Sequence, residues 1–140
     1  MTVFTEEIDL RTDGELDMPN ITDRVEGIVA RAGIKRGIVS CSVAGATAAL
    51  TVIEYEPGLL KDFPDLLERI APKNIDYAHH RTWNDGNGHS HVRASLIGPD
   101  LTMPVRDGRM VRGTWQQLIF LELDVREQRD RRVYVTVIGE

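Results

Sequence analysis

Residues 37–55 read Gly37-Ile-Val-Ser-Cys-Ser-Val43, then Ala44-Gly45-Ala46, then Thr47-Ala-Ala-Leu-Thr-Val-Ile-Glu54-Tyr55. Both outer segments are rich in β-branched residues and are bounded by glycine or proline, a pattern typical of β-strands. The glycine-containing segment between them favours a turn. This stretch therefore predicts two of the strands that form the sheet.

An amphipathic helix precedes this stretch and a second one follows it. The first has its apolar residues at helical spacing, at Val25, Ile28, Val29 and Ala32. Asn20 or Thr22 is placed to cap its start, and Gly33 to close it in the left-handed conformation. The second has the same spacing at Leu59, Leu60, Phe63, Leu66, Leu67 and Ile70. Pro64 should break this helix or start a fresh one, and Pro72 should end it.

The remaining apolar patterns predict further strands. They are residues 3–11, 89–97, 101–105, 117–125 and 132–138, with a hairpin turn at Arg106-Asp-Gly-Arg109. The last two strands alternate strongly and are expected to pair as a final hairpin. Two helices against many mostly antiparallel strands make an α+β protein, with the sheet folded as a sandwich or a partly open barrel. Without repeats or a long linker, residues 1–140 are expected to form one domain.

Charge and composition exclude several classes of protein. The chain has 22 acidic and 17 basic residues and a net charge of −5, so its field repels polyanions and a nucleic-acid partner is not expected. No segment approaches the roughly 20 apolar residues that a membrane span requires. Cys41, the single cysteine, cannot form an internal disulfide and fits a packing role in a reducing compartment. We expect a cytoplasmic protein that is not bound to a membrane.

All four histidines lie between residues 79 and 91. If residues 89–97 form a strand, then His89, His91 and Arg93 project to one side, about 6 to 7 Å apart. Such a surface suits a divalent metal held by the histidines, or an anion held by Arg93. A metal needs a further ligand, for which His79, His80, Asp85 and Glu54 are the candidates. The alternative is a solvated polar strand face.

Four side chains outside the histidine segment are further candidates. Glu54 ends an apolar alternation on the face that points inward or to a cleft, where it acts as a general base or metal ligand, or else reaches water at the strand end. Thr47 offers a hydroxyl, or is simply a good strand former. Trp115 forms an aromatic wall or belongs to the core. The Gln116 amide must find a partner within the chain or contact a ligand.

The sequence resembles the YjbQ-like family, an uncharacterised family in places named secondary thiamine-phosphate synthases. The resemblance is carried by Thr47-Ala-Ala-Leu-Thr51 with Glu54, Tyr77-Ala-His79, Asp85-Gly-Asn87, His91-Val-Arg-Ala94, Pro104-Val105 with Asp107-Gly-Arg109, and Gly113-Thr-Trp-Gln116 followed by Glu122 and Asp124. It extends from about residue 47 to the C-terminus. One departure lies before Thr47, where many relatives place a histidine or threonine and this chain has Gly45-Ala46.

The resemblance implies an α+β fold that assembles as a homotrimer, with the histidine-rich surface near a subunit boundary. It also implies thiamine-phosphate synthesis, in which a pyrimidine pyrophosphate and a thiazole phosphate are joined and pyrophosphate is expelled. Such an enzyme binds small phosphorylated molecules, stabilises the leaving group and shields a cationic centre.

Each candidate residue then receives a role. Catalysis is assigned to Glu54, His91, Arg93 and Gln116, substrate binding to Thr47, Asn87, Arg93 and Trp115, and a divalent metal, zinc or magnesium, to His79, His89 and His91. No organic cofactor is expected. Two alternatives stay open. One is a different metal-dependent phosphate-handling enzyme or hydrolase, and the other is a non-catalytic binding protein or structural homotrimer.

Overall fold

The computed structural model describes residues 1–140 and contains four helices and seven strands. In chain order the elements are β1 (Thr2–Thr12), α1 (Thr22–Ala32), β2 (Arg36–Val43), β3 (Ala48–Ile53), α2 (Leu59–Ile70), α3 (His79–Thr82), α4 (Gly88–Ile97), β4 (Asp100–Arg106), β5 (Arg109–Met110), β6 (Gln117–Glu122) and β7 (Arg129–Gly139). Every strand pair is antiparallel. The predicted α+β class with a mostly antiparallel sheet is confirmed.

Five strands form one sheet in the order β1-β7-β2-β4-β5. Because side chains alternate across a strand, Val133, Val135 and Val137 of β7 all point to the core and are fully buried. Tyr134, which lies between them in sequence, points to the solvent side. The sheet therefore has one apolar face and one face open to water.

The ribbon of β3 and β6 is buried on both faces. Leu50 and Phe120 pack with the five-stranded sheet and α1, whereas Ala49 and Leu121 pack with α2 and α4. This double burial explains why both strands have continuous apolar runs instead of a polar alternation. The ribbon is thus the middle layer of the molecule, and it carries candidate residues at both of its ends.

Both predicted helices are present. Gly33 ends α1 with φ 68°, in the left-handed conformation that the sequence predicts. The break expected at Pro64 does not occur, since α2 runs through it. Leu67 is almost completely buried on this helix, and the apolar packing of its face offsets the backbone hydrogen bond that proline cannot donate.

Two strand predictions are wrong. Residues 88–97 form helix α4, not a strand, and its buried positions His89, Ser90, Arg93 and Ala94 follow a helical period. The expected final hairpin is also absent, because β6 pairs with β3 while β7 pairs with β1 and β2. Alternating patterns identify strands but do not identify their partners, which is why the second error arose.

The structure also bears on the predicted packing role of Cys41 and on the membrane. Cys41 is fully buried in the main core, and burial raises the pKa of its thiol to about 12, in keeping with a packing role. None of the four helices has both the length and the apolar character that crossing a membrane demands.

Candidate functional site

Three side chains from consecutive elements of the chain meet at one edge of α4. They are His79 from α3, Asp85 from the turn that follows it, and His91 from α4, and we call them the His–Asp cluster. One potential ligand atom from each residue lies within 4.8 Å of those of the other two. His79 Nδ1 lies 3.6 Å from Asp85 Oδ1, and the two imidazole ring centroids are 4.6 Å apart.

The loop before α4 brings Asp85 back toward the histidines. Asn84 and Gly86 have φ values of 48° and 75°, which allow a tight reversal on either side of Asp85. Asp85 Oδ1 then accepts a hydrogen bond from the backbone N–H of Asn87 at 3.0 Å. The carboxylate is therefore fixed by the start of the same helix that carries His91.

The donor atoms of the His–Asp cluster are of the kinds that could hold a metal ion, with one pair at the spacing of bound ligands and the whole set spread over as much as 4.8 Å. His79 Nδ1 is buried and has no hydrogen-bond partner, and its 3.6 Å separation from Asp85 Oδ1 is longer than a hydrogen bond. Two ligands bound to one zinc ion at about 2.1 Å each, in tetrahedral geometry, lie about 3.4 Å apart. The donor set of two imidazoles and a carboxylate favours zinc over magnesium, which prefers oxygen ligands.

His89 does not join the cluster, because on a helix it faces a different direction from His91. Its Nε2 is hydrogen-bonded to Glu15 Oε2 at 2.5 Å and the side chain is fully buried. Burial acts to raise the pKa of Glu15, but hydrogen bonds from Lys73 and His89 outweigh it and hold that pKa below its ordinary value. His89 thus anchors α4 to the segment after β1, and its predicted place beside His91 is wrong.

The side chain of Arg93, like that of His89, makes its contacts inside the protein. Its side chain is almost completely buried, its Nε donates to the Ala71 carbonyl at 3.0 Å, and its Nη2 donates to Glu68 at 2.8 Å. These contacts join α4 to the C-terminal end of α2. The guanidinium therefore does not share a surface with His91, contrary to the strand-based expectation.

Asn87 links the His–Asp cluster to a buried polar network. Its Oδ1 accepts hydrogen bonds from Ser90 Oγ at 2.9 Å and from the Val125 N–H at 3.1 Å. Its Nδ2 donates to Asp124 Oδ2 at 3.4 Å. With 6% of its surface exposed, Asn87 supports the loop from beneath instead of facing a ligand.

Thr47 belongs to the same network. Its hydroxyl donates to Asp124 at 3.0 Å and accepts from Arg131 at 2.9 Å. Arg131 also forms a fully buried ion pair with Glu122 at 2.6 Å. Burial would raise the pKa values of Glu122 and Asp124, but the hydrogen bonds they accept outweigh it and leave both pKa values lowered.

A cavity of about 180 Å³ opens beside His91. Its other walls are small residues, namely Gly45, Ala46, Ala48, Ala94, Ser95 and Pro99. Gly45 and Ala46 are the positions at which the sequence departs from the family resemblance. Their small size leaves room next to the His–Asp cluster for part of a ligand.

Glu54, Trp115 and Gln116 lie elsewhere. Glu54 is exposed and shares a second cavity with Trp115. Gln116 is exposed, and its Oε1 accepts a hydrogen bond from the Gly113 N–H at 2.6 Å within its own turn. Ala48, beside His91, begins β3, and Glu54 directly follows the last residue of this strand, so the two are about 20 Å apart at the rise of a strand. The structure of one chain therefore separates the candidate residues into two groups.

The sequence identifies the residues in and around the site only in part. Asp85 was one candidate ligand among several, and the polar loop that carries it was the available signal. Glu15 and Arg131 gave no signal, and Glu122 stood out only as part of the family resemblance, because single charged residues in strands or loops do not reveal their burial. Their contacts depend on segments that are distant in the chain.

Comparison with known proteins extends over nearly the whole chain. A family described as UPF0047 protein YjbQ-like has a model that matches residues 6–140. A UPF0047 protein of Methanothermobacter thermautotrophicus is 39% identical over 140 residues, which are 100% of this chain and 95% of the relative. Another, from Archaeoglobus fulgidus, is 36% identical over 94% of this chain and 99% of the relative.

Solved structures show the same fold. A YbjQ-like protein of unknown function from Sulfolobus solfataricus P2 is 35% identical, with a TM-score of 0.91 over 99% of each chain. An uncharacterised conserved protein of the yjbq/upf0047 family from Clostridium acetobutylicum is 32% identical, with a TM-score of 0.83 over 95% of this chain and 99% of the other. These similarities confirm the family resemblance and the fold class.

Proposed function

The chain belongs to the UPF0047 YjbQ-like family, and from the geometry of the His–Asp cluster we propose that it is a divalent-metal-dependent enzyme acting on small phosphorylated molecules. The observation that carries the proposal is the convergence of His79, Asp85 and His91 within 4.8 Å. Zinc is the proposed metal, because two imidazoles and one carboxylate form a catalytic type of zinc site that leaves a coordination position open. Such an ion, when bound, polarises phosphoryl oxygens and lowers the pKa of a coordinated water.

The surroundings of the cluster support a substrate with an anionic part. Val125, whose N–H bonds to Asn87, precedes Arg126, and the guanidinium of Arg126 is largely exposed. This cation lies on the loop that packs against the cluster loop. Its Nε is 3.9 Å from Asp124 Oδ1, and the exposed part of the guanidinium could also contact a phosphate group. The small-residue cavity beside His91 would receive the uncharged part of the same molecule.

Thiamine-phosphate synthesis is one reaction of this class. It needs a metal or cation for the pyrophosphate and an aromatic wall for a ring, and the chain has both kinds of group. In one chain, however, Trp115 and the His–Asp cluster are at opposite ends of the β3–β6 ribbon. We propose that the functional unit is a homotrimer. The exposure of Leu66, Ile70, Val92 and Leu96 on α2 and α4 supports contact of these helices with another copy.

Metal analysis tests the central proposal. Purified protein loaded with zinc and dialysed should retain about one ion per chain, and His91→Ala should lose it. His80→Ala is the matched control, since His80 is the neighbour of His79 but lies outside the cluster. Loss in both variants, or retention in both, would contradict the assignment of the ion to these residues.

An activity assay then tests the enzyme class. The zinc-loaded protein is offered phosphate monoesters, pyrophosphate esters and the two thiamine-phosphate precursors, with His91→Ala in parallel. Turnover of any of these that depends on His91 supports the proposal. Stoichiometric zinc without turnover would favour a non-catalytic role, and turnover unchanged in His91→Ala would place the chemistry elsewhere.

A further inference from the structure

A second cavity, away from the His–Asp cluster, has an exposed tryptophan as its wall. The Trp115 cavity measures about 290 Å³ and is lined by Asn20, Glu54, Tyr55, Glu56, Thr114, Trp115 and Gln117. Trp115 is 72% exposed, an unusual state for the largest apolar side chain. The cavity therefore presents an indole face to solvent.

The turn that carries Trp115 is braced from both sides. The Gly113 N–H donates to Gln116 Oε1 at 2.6 Å, and the Gln116 N–H donates to the Gly113 carbonyl at 3.1 Å. Arg112 Nη1 donates to the Gln116 carbonyl at 2.9 Å. Three hydrogen bonds thus fix a four-residue turn whose aromatic side chain remains outside the core. Such bracing preorganises the indole for contact with a ligand.

Most polar side chains that line the Trp115 cavity form hydrogen bonds within the chain. Tyr55 donates its hydroxyl to the Met18 carbonyl at 2.7 Å, and Asn20 Nδ2 donates to Gln117 Oε1 at 3.0 Å. Glu56 accepts hydrogen bonds from the N–H groups at the start of α2. Glu54 differs from these residues, since its carboxylate has neither a hydrogen bond nor an ion pair within the chain. The cavity therefore offers one free negative charge beside one aromatic face.

We infer that the Trp115 cavity binds a small organic cation, such as an alkylammonium group or a positively charged nitrogen heterocycle. The cation would lie on the indole face, where the ring quadrupole attracts positive charge, and within reach of the Glu54 carboxylate. A neutral molecule of the same shape gains the stacking contact but neither electrostatic contribution. Within one chain this site is separate from the His–Asp cluster, and its binding of a cation does not depend on the proposed metal.

Two probes of nearly equal shape test the inference. The 1-methylnicotinamide cation and neutral nicotinamide are titrated by calorimetry into the metal-free full chain. We expect saturable binding of the cation at least about fivefold tighter than that of the neutral probe, since an exposed cation–π contact and an exposed ion pair each contribute modestly. Glu54→Gln should reduce the cation's affinity and leave only the smaller preference that the indole face gives over the neutral probe, and Trp115→Ala should abolish binding of both probes.

Matched controls separate this site from general surface effects. Trp83 is a second tryptophan with 71% exposure, and Glu127 is an exposed glutamate without an ion-pair partner, so Trp83→Ala and Glu127→Gln should leave the titrations unchanged. Equal affinity for the two probes, an unchanged titration in Glu54→Gln, or the absence of saturation would overturn the inference. Circular dichroism of each variant shows that the fold is intact. Zinc retention, which measures the other site, should be the same in Glu54→Gln as in the unaltered chain.

Discussion

His79 and His91 lie on different helices, and their imidazole rings are 4.6 Å apart and tilted by 40°. Neither helix alone brings its histidine to this position. α3 is a single short turn, and α4 is fixed by the buried contacts of its other side, among them those of His89 and Arg93. The spacing of the two rings is therefore a property of the packed fold, and residues that touch no ligand should influence it.

Asn87 should act as a positioning residue for Asp85. Replacing it by alanine leaves Ser90 Oγ and the Val125 N–H without a partner, removes one of the several hydrogen bonds that Asp124 accepts, and loosens the turn that holds the carboxylate. We expect zinc affinity to fall by about tenfold or more, as for other residues that orient metal ligands, and the free energy of unfolding to fall by about 1–3 kcal/mol.

Competition with a chelator and urea unfolding measure the two effects of Asn87→Ala. Asn74→Ala is the control, since this residue is an exposed asparagine in the loop between α2 and α3. A loss of stability with unchanged zinc affinity would show that Asn87 supports the fold but not the position of Asp85.

The buried pair of Glu122 and Arg131 should be a major element of stability. Arg131→Met leaves a carboxylate fully buried without its cation, which costs about 3–5 kcal/mol in comparable cases. Urea denaturation reports this change. Arg11→Met breaks an exposed pair with Asp130 and should have little effect. Similar midpoints for the two variants would mean that Glu122 is solvated by other groups.

Stability should decline as the medium becomes acidic. The pKa values of Glu122 and Asp124 are lowered in the folded state from ordinary values of 4.5 and 3.8. The stabilisation is therefore complete above those ordinary values and is lost as the pH falls through the lowered pKa values. We expect the urea midpoint to fall continuously from about pH 5 to pH 3, with proton uptake on unfolding. A midpoint that stays constant or rises over this range would contradict the prediction.

The α4 surface should be required for the proposed homotrimer. Leu96 is 63% exposed, so Leu96→Glu should be tolerated by the isolated chain but should disrupt an apolar contact between copies. Light scattering should give three times the chain mass of 15.7 kDa for the unaltered protein and a smaller mass for the variant. Val3→Glu, on the distant edge strand β1, serves as control. A monomeric unaltered protein would refute the trimer.

The sequence predicts an element correctly where the spacing of its apolar residues fits either a helix or a strand but not both. In α1, Val25, Ile28 and Val29 fit a helix and no strand, and the β-branched runs of β2 and β3 fit only strands. Residues 89–93 fit both, because positions i and i+4 share a face in a helix and in a strand. His89 and Arg93 therefore remained together on one face while His91 moved to another.

The candidate site was predicted in part for a similar reason. The clustering of histidines in sequence pointed to the segment that contains the His–Asp cluster, and two of the three residues predicted to bind a metal, His79 and His91, lie in that cluster. The separation of Glu54 and Trp115 from them follows from the pairing of β3 with β6, which places both residues at one end of the ribbon, and the sequence did not reveal this pairing. Buried partners such as Glu15 depend on long-range packing and leave no local pattern.

The position of β7 has a consequence for biosynthesis. This strand follows all the others in the chain, yet it lies inside the sheet between β1 and β2, and it pairs Thr2 with Gly139. While the ribosome is still producing β7, the facing edges of β1 and β2 have no partner. Contacts between segments so far apart in sequence form slowly, and open strand edges can pair with another nascent chain. Refolding yield should therefore depend on protein concentration more than the small size of the chain suggests.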